Sequence, residues 1–377
     1  MMDTDIFNHI ERETKAILKK ALNNIEITPD EALKLLGVQG KEFLVLQYTA
    51  NELCLDKKEN IVTFVINRNI NFTNICFQGC KFCSFSLPAN HEDAFLFTLD
   101  EIKERTIEAK NLNCTEVCIQ GGINPELRFD FYLDILKMVK EVDKNLHTHA
   151  FSPQEIFFMS KLYGNSIETT LKELKKAGLD SIPGTAAEIL VDDVRKIICP
   201  NKVSTQQWIN IITTAHNLRI PTTSTIMYGH IETNNDRIKH LNILREIQKE
   251  TRGFTELVPL PFVKEKPMLS RLEAHPLNPN YGMADLKLFC VSRIFLNNYI
   301  DNLQCSWPKL GPKLAQVSLN YGVNDFGGTL IEENISKSAG ADFGEYLPPE
   351  EIIAIIKTAG KRAAQRDTLY NIRKYYD

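Results

Sequence analysis

The 377-residue sequence has no apolar run of membrane-spanning length, no tandem repeat, no low-complexity tract and no long block of like charge. Each absence excludes something. A bilayer-crossing helix needs about twenty consecutive apolar residues, so none is predicted. The stretch 1–20, acidic and basic by turns, lacks the apolar core of a signal peptide. Excess charge of either sign is missing too. The 44 lysines and arginines face 48 acidic residues, a formal charge of −4, so no nucleic acid or anionic membrane is expected as partner. The nine cysteines, an odd number, are scattered through a chain too long to need a disulfide framework. They point to a reducing cytosol, where thiolates stay available for metal. The remaining composition, 43% hydrophobic and 24% charged, is that of a globular protein with one large domain and extensions, or two modest domains.

Periodicity supplies the architecture. Apolar Ile17, Leu18, Ala21, Leu22 and Ile25 at helical spacing predict a helical lead-in. Thr28-Pro29-Asp30-Glu31 is a capping box with proline at the first helical position. From Ile61 onward, short β-branched strands alternate with amphipathic helices. Strands are predicted at 61–70, 116–120, 146–151, 179–182, 221–227, 254–260 and 303–307. Helices are predicted at 99–112, 129–142, 186–198, 205–217, 236–250, 284–299 and 312–320, with a last, peripheral one at 349–366. Such alternation over some 250 residues predicts a (β/α)8 TIM-type barrel. A doubly wound open sheet is the rival, but no Gly-rich dinucleotide turn follows the first strand. The division expected is a helical extension at 1–57, a barrel at 58–335 and a helical segment at 336–377.

Barrel chemistry sits at the C-terminal ends of the strands, and the first such end carries the most unusual residues. Cys76, Cys80 and Cys83 place three thiols within eight residues, at spacing x3 then x2. Three thiolates can hold three irons of a 4Fe–4S cubane and leave the fourth open to the amino and carboxylate groups of S-adenosylmethionine. The rival is a structural zinc site, which wants four ligands in paired knuckles, and no second C-x2-C pair exists. Buried, unreactive thiols account for Cys54, Cys114, Cys118, Cys199, Cys290 and Cys305.

This cysteine pattern, with the aromatic Phe82 before the third thiol, resembles the radical S-adenosylmethionine superfamily. Gly121-Gly122 is similar to that superfamily's glycine contact to the methionine amine, although Ile123 stands where an acidic residue is usual. The stretch 225–232 resembles a degenerate adenine-contacting motif, with Gly229 and Glu232 matching and Thr225 and Met227 departing. The stretches 67–74, 149–153 and 177–181 are similar to the group that makes the deazaflavin FO and the futalosine derivatives of menaquinone synthesis. Within that group, the stretches 182–190, 256–263 and 324–330 resemble the tyrosine-addition (CofH-type) family.

That resemblance implies a transferase with a 4Fe–4S cluster and S-adenosylmethionine as cofactors. It would cleave L-tyrosine and add its 4-hydroxybenzyl group to 5-amino-6-(D-ribitylamino)uracil. A separate ring-closing enzyme (CofG type) and an electron donor are implied as partners. The alternatives are a menaquinone-pathway radical enzyme acting on a futalosine derivative and a metal-binding protein without turnover.

The site residues expected follow from strand-end positions and from the resemblance. Glu188, His149 and His230 are the catalytic candidates. Phe82, Gly121, Gly122, Ser152, Arg195, Tyr228, Gly229 and Glu232 are assigned to the cosubstrate. Ser181, Thr185, Trp307, Lys309, Asn324, Asp325 and Glu332 are assigned to the substrates. Each has a plainer reading: Glu188 and Arg195 as an exposed ionic face of a helix, His149 as a satisfied core histidine, Trp307 as packing, and Lys309, Asn324, Asp325 and Glu332 as loop polars. Gly122 is expected to let the backbone approach the methionine end of the cosubstrate. His9, His91, His216, His240 and His275 have no companion cluster and read as surface or structural.

Overall fold

The structure, a computed structural model, describes residues 6–272, 277 and 281–377, so His275 lies outside the described residues. Its helices begin where short polar side chains absorb the unpaired N–H groups of a first turn. Thr28 with Glu31, Thr98 with Glu101 and Ser152 with Glu155 form reciprocal capping boxes. Helix Phe129–Val142 shows why such segments pack. Its Phe129, Tyr132, Ile135, Leu136 and Val139 recur at helical spacing and are all buried. No helix among the described residues is long and apolar enough to cross a membrane.

Eight parallel staves close a ring. Asn67–Ile70, the upper part of the first stave, pairs with Glu116–Ile119, which pairs with His147–Ala150. Bridges from His149 to Ser181 and from Ile182 to Thr222 make a short fourth stave. Thr222–Tyr228 pairs with Phe254–Pro261. Leu257 bridges Leu303, and Gln304 bridges Asp325. Asp325–Gly328 then returns to Ile61–Val65, the lower part of the first stave. Helix Gly40–Lys58 covers one side of the ring, against helix Gly282–Leu296.

The expected strand at 61–70 breaks at Ile66, because its two halves pair with different neighbours. Only Asp192–Ile198 of the expected helix 186–198 is helical. Ala186 and Glu188 adopt left-handed φ values of 62° and 46°, which no α-helix accommodates. Glu188 therefore sits on a loop. The segment read as one last helix divides into helix Pro349–Thr358 and strand Arg362–Arg366. That strand lies parallel to Ile61–Val65 and is followed by the antiparallel strand Ile372–Tyr376. Its sequence, RAAQR, has no β-branched residue to announce a strand. Pairing with the first stave and the ion pair of Arg366 select it instead.

Candidate active site

A cavity of about 400 Å³ opens at the C-terminal ends of the staves, and Cys76, Cys80 and Cys83 all line it. The loop that carries them is fixed by its backbone. Cys76 N–H donates to Leu87 O at 3.0 Å, Lys81 N–H to Ile198 O at 2.8 Å and Cys83 N–H to Cys80 O at 3.1 Å, while Gly79 takes a left-handed φ of 64°. Beneath it, Phe72, Tyr132 and Phe151 pack edge to face, each such pair worth about 0.5–1.5 kcal/mol beyond burial.

The thiols fit an iron–sulfur cluster. All three are free of disulfides. Burial pushes the Cys80 thiol up to about 12 and raises that of Cys83 as well, so a bare thiolate is disfavoured there. A coordinated metal reverses that preference outright. Among the described residues no three His, Cys, Asp or Glu side chains converge on a single ion. A cubane asks for no such convergence, because each thiolate takes a different iron.

The glycine pair is shaped from below. A Cβ on Gly121 would collide with the Phe72 ring, and one on Gly122 with the carbonyl of Ile75 and with Cys76 Cβ. Gly122 thus lets the second stave approach the cysteine loop itself. Gly121 N–H donates to Glu155 Oε1 at 3.0 Å, and Gly122 N–H to Thr73 O at 2.8 Å. Both N–H groups of the pair are thus engaged within the chain, and Gly122 O accepts from Asn124 N–H at 3.0 Å. Glu155, which also caps Ser152, is wholly buried, and burial raises its carboxyl to about 7.

Of the other expected residues, Phe82, Ser152, His149, Thr185, Glu188 and Lys309 also line the cavity. Glu188 pairs with Lys202 at 2.6 Å, and Lys202 lies over the Phe82 ring. Thr185 Oγ1 donates to Gln120 Oε1 at 3.0 Å. His149 Nδ1 shares a hydrogen with Ser181 Oγ at 2.6 Å, and burial lowers its pKa to about 4, so the ring is neutral. Lys309 Nζ donates to Ser336 Oγ at 2.9 Å. Among the described residues no carboxylate lies within ion-pair distance of it, and burial lowers its pKa.

The rest do not line the cavity. The Arg195 guanidinium binds the carbonyls of Ala186, Ala187, Ile189 and Val203, and so clamps the loop that carries Glu188. Glu232 accepts from Gly229 and His230 N–H and pairs with Arg237 at 2.6 Å, a self-contained turn. Tyr228 is buried against Arg237 and Asp285. Ser181 stands behind His149, between it and His147. Trp307 donates to Gly328 O within the core. Asn324 accepts from Leu303 N–H and Arg293, Asp325 pairs with Arg366, and Glu332 pairs with Arg68 on the outer face.

The cavity wall also carries residues that the sequence reading did not assign to the site: Asn67, Asn69, Asn71, Glu116, Lys202, Glu256 and Arg366. The asparagines alone left a signal, alternating at period two along the first stave.

The profile of the Radical SAM superfamily matches residues 70–244, and that of the CofH/MqnC C-terminal region matches 251–377. Among solved structures, methylornithine synthase superposes with a TM-score of 0.72 at 17% identity, covering 92% of this chain and 97% of its own. The FeFe-hydrogenase maturase of Carboxydothermus hydrogenoformans gives 0.72 at 13%, covering 97% and 83%. At such identities the likeness concerns the fold. Two curated relatives are much nearer in sequence, both named 5-amino-6-(D-ribitylamino)uracil–L-tyrosine 4-hydroxyphenyl transferase. The one from Archaeoglobus fulgidus is 52% identical, over 86% of this chain and 92% of its own. The one from Methanocaldococcus jannaschii is 49% identical, over 92% and 97%. With a closed eight-stave ring, three thiols on one cavity wall and this identity over nearly the whole length, the chain belongs to the radical SAM superfamily and, within it, to the family of these 4-hydroxyphenyl transferases.

Proposed function

We propose that the protein transfers the 4-hydroxybenzyl group of L-tyrosine to carbon 5 of 5-amino-6-(D-ribitylamino)uracil, a step in making the deazaflavin FO. The observation that carries this reading is the placement of Cys76, Cys80 and Cys83 on the wall of one cavity with Lys309 and Thr185, in a chain 52% identical to a transferase of that name. When bound, a 4Fe–4S cluster and S-adenosylmethionine supply a 5′-deoxyadenosyl radical able to take a hydrogen atom from tyrosine. The amino acid's Cα–Cβ bond then breaks, its two-carbon remainder leaves as an imine, the benzyl fragment joins carbon 5 of the uracil, and the adduct gives back the electron that cleaved the cosubstrate together with a proton.

The chain's own residues hold and shield these partners. The three cysteines hold the cluster, and the backbone of the glycine turn, on the same cavity wall, contacts the cosubstrate's ammonium. Lys309, a half-buried cation without a carboxylate partner among the described residues, receives the tyrosine carboxylate. Lys202 is already neutralised by Glu188 and does not compete for it. The packed wall keeps water and stray hydrogen donors from the reactive fragment. The ring-closing partner enzyme and an electron donor are part of this proposal, as is a reducing cytosol, which the free cysteines among the described residues support.

The test is an anaerobic assay of cluster-reconstituted protein with tyrosine, the ribitylaminouracil and S-adenosylmethionine. Formation of 5′-deoxyadenosine together with the coupled product is expected. Turnover of a futalosine derivative in its place, or no cleavage of S-adenosylmethionine, would overturn the reading.

A further inference from the structure

The inward face of the first stave is a stripe of asparagines, Asn67, Asn69 and Asn71, all on the cavity wall. Successive side chains on one face of a strand stand about 7 Å apart, so the stripe runs from the interior of the ring toward the cysteine loop. Its members differ in what they touch. Asn67 is fully engaged, donating to Glu116 Oε1 at 3.0 Å and accepting from Leu330 N–H at 3.0 Å. Asn71 donates to Gln120 O at 3.3 Å, which fixes its amide orientation and leaves Oδ1 facing away from that bond. Asn71 is 5% exposed and Asn69 9%. In both, Oδ1 is buried with no hydrogen-bond partner.

Buried carbonyl oxygens without partners are rare because each has given up water for nothing. Two of them, a stave step apart on one cavity wall, describe a surface short of donors. Gln78, also on that wall, has a third such oxygen.

We propose that Asn69 and Asn71 form the strip that recognises the donor-rich edge of the ribitylaminouracil, an inference that rests on the transferase reading above. The pyrimidine offers two ring N–H groups, a 5-amino group, a 6-amino N–H and a chain of hydroxyls, donors spread over a length that spans the step between Asn69 and Asn71. Tyrosine concentrates its donors at the ammonium and the distant phenol, and its carboxylate needs a donor rather than an acceptor. Asn69 is level with Cys118 and His149 on the next two staves. The neutral His149 ring therefore borders the same ligand from the side. A site whose acceptors are filled only by these donors rejects a pyrimidine that lacks them, because the amide oxygens are then left unpaired.

The test is calorimetry on the reconstituted holoenzyme, comparing wild type, Asn69→Leu and Asn71→Leu, with ribitylaminouracil, tyrosine and the analogue lacking the 5-amino group. Each variant is expected to bind the ribitylaminouracil about 10- to 100-fold more weakly and to bind tyrosine as wild type does, which also reports an intact fold. Preference over the 5-deamino analogue should shrink in at least one variant. Unchanged affinity for the ribitylaminouracil in both variants, with wild type binding it, overturns the strip and leaves the transferase reading standing. Equal loss of both substrates assigns the asparagines to structure and overturns the strip as well. A wild type that binds tyrosine but no ribitylaminouracil overturns the transferase reading and the strip together.

Discussion

Deep in the ring, Arg366 donates to Asp325 through two nitrogens, at 2.5 and 3.0 Å, and lies 3.7 Å from Glu256. Its guanidinium also covers the Tyr370 ring. Tyr370 in turn donates its hydroxyl to Glu256, as does the Gln304 amide. Nearer the cysteine loop, Asn69, Asn71 and Gln78 keep oxygens with no partner, and Lys309 has only a hydroxyl. One region satisfies its polar groups from within the chain and the other leaves places to be filled. Buried charge that is fully paired serves the fold, and removing one member leaves the others stranded. Buried polarity left open is suited to a ligand. The difference separates scaffold from site inside one continuous cavity.

The sharpest way to test that division is at its two extremes. Cys80→Ala is expected to abolish cluster loading and turnover while the melting temperature of the cluster-free protein changes little. Full iron retention, read by metal analysis, would remove the cysteine assignment. Arg366→Leu should do the reverse, destabilising the fold by about 3–5 kcal/mol because Asp325 and Glu256 lose their shared cation. Denaturant unfolding measures this, and a loss under 1 kcal/mol would show that the inner network is not the scaffold described.

Glu188→Gln lies between the extremes. Glutamine still accepts from Lys202 but no longer neutralises it, so the coupling of tyrosine to the ribitylaminouracil should weaken by about 1–3 kcal/mol, with iron content unchanged. Normal steady-state turnover in this variant would make the Glu188–Lys202 pair part of the scaffold.

The smallest effect is electrostatic and remote from the cavity. His216 is buried between Thr251 and Thr222, and burial lowers its pKa to about 4, against about 6.5 in an unfolded chain. The folded state holds the neutral ring, so the unfolded state binds the extra proton first. The resulting stability is complete above pH 6.5 and declines as pH falls toward 4, by about 1.4 kcal/mol per pH unit. In His216→Gln the unfolding free energy should fall less steeply with acid across that window. An identical slope would mean that His216 titrates as it does in water.

The sequence exposed the regular parts of this design and concealed the irregular ones. The cysteine loop is legible because its ligands lie within eight residues and their spacing is itself the chemistry. The capping boxes are legible for the same reason, since a first helical turn is a local event. Arg366, Asp325, Glu256 and Glu116 come from strands far apart in the chain, and no spacing joins them before the sheet assembles. Asp325, expected against substrate, is engaged by Arg366, whose segment the pattern predicts as a peripheral helix. Arg195 and Glu188, expected on one helix face, are separated because the guanidinium binds the backbone that a helix would have hydrogen-bonded itself. The loop then presents Glu188 to the cavity at a left-handed φ that no periodicity announces.

The strand Arg362–Arg366 covers the edge of Ile61–Val65 that the ring itself leaves open. Asn60, just before the first stave, is bonded to Gly360 across 300 residues of sequence, and contacts so distant form slowly because a very large loop must close first. Until that strand docks, Ile61–Val65 offers one bare edge of an apolar, β-branched strand, the kind of template on which another chain can add itself. Docking at that edge therefore protects each molecule from its neighbours during folding, and a weakened covering strand would reveal itself first as aggregation during refolding.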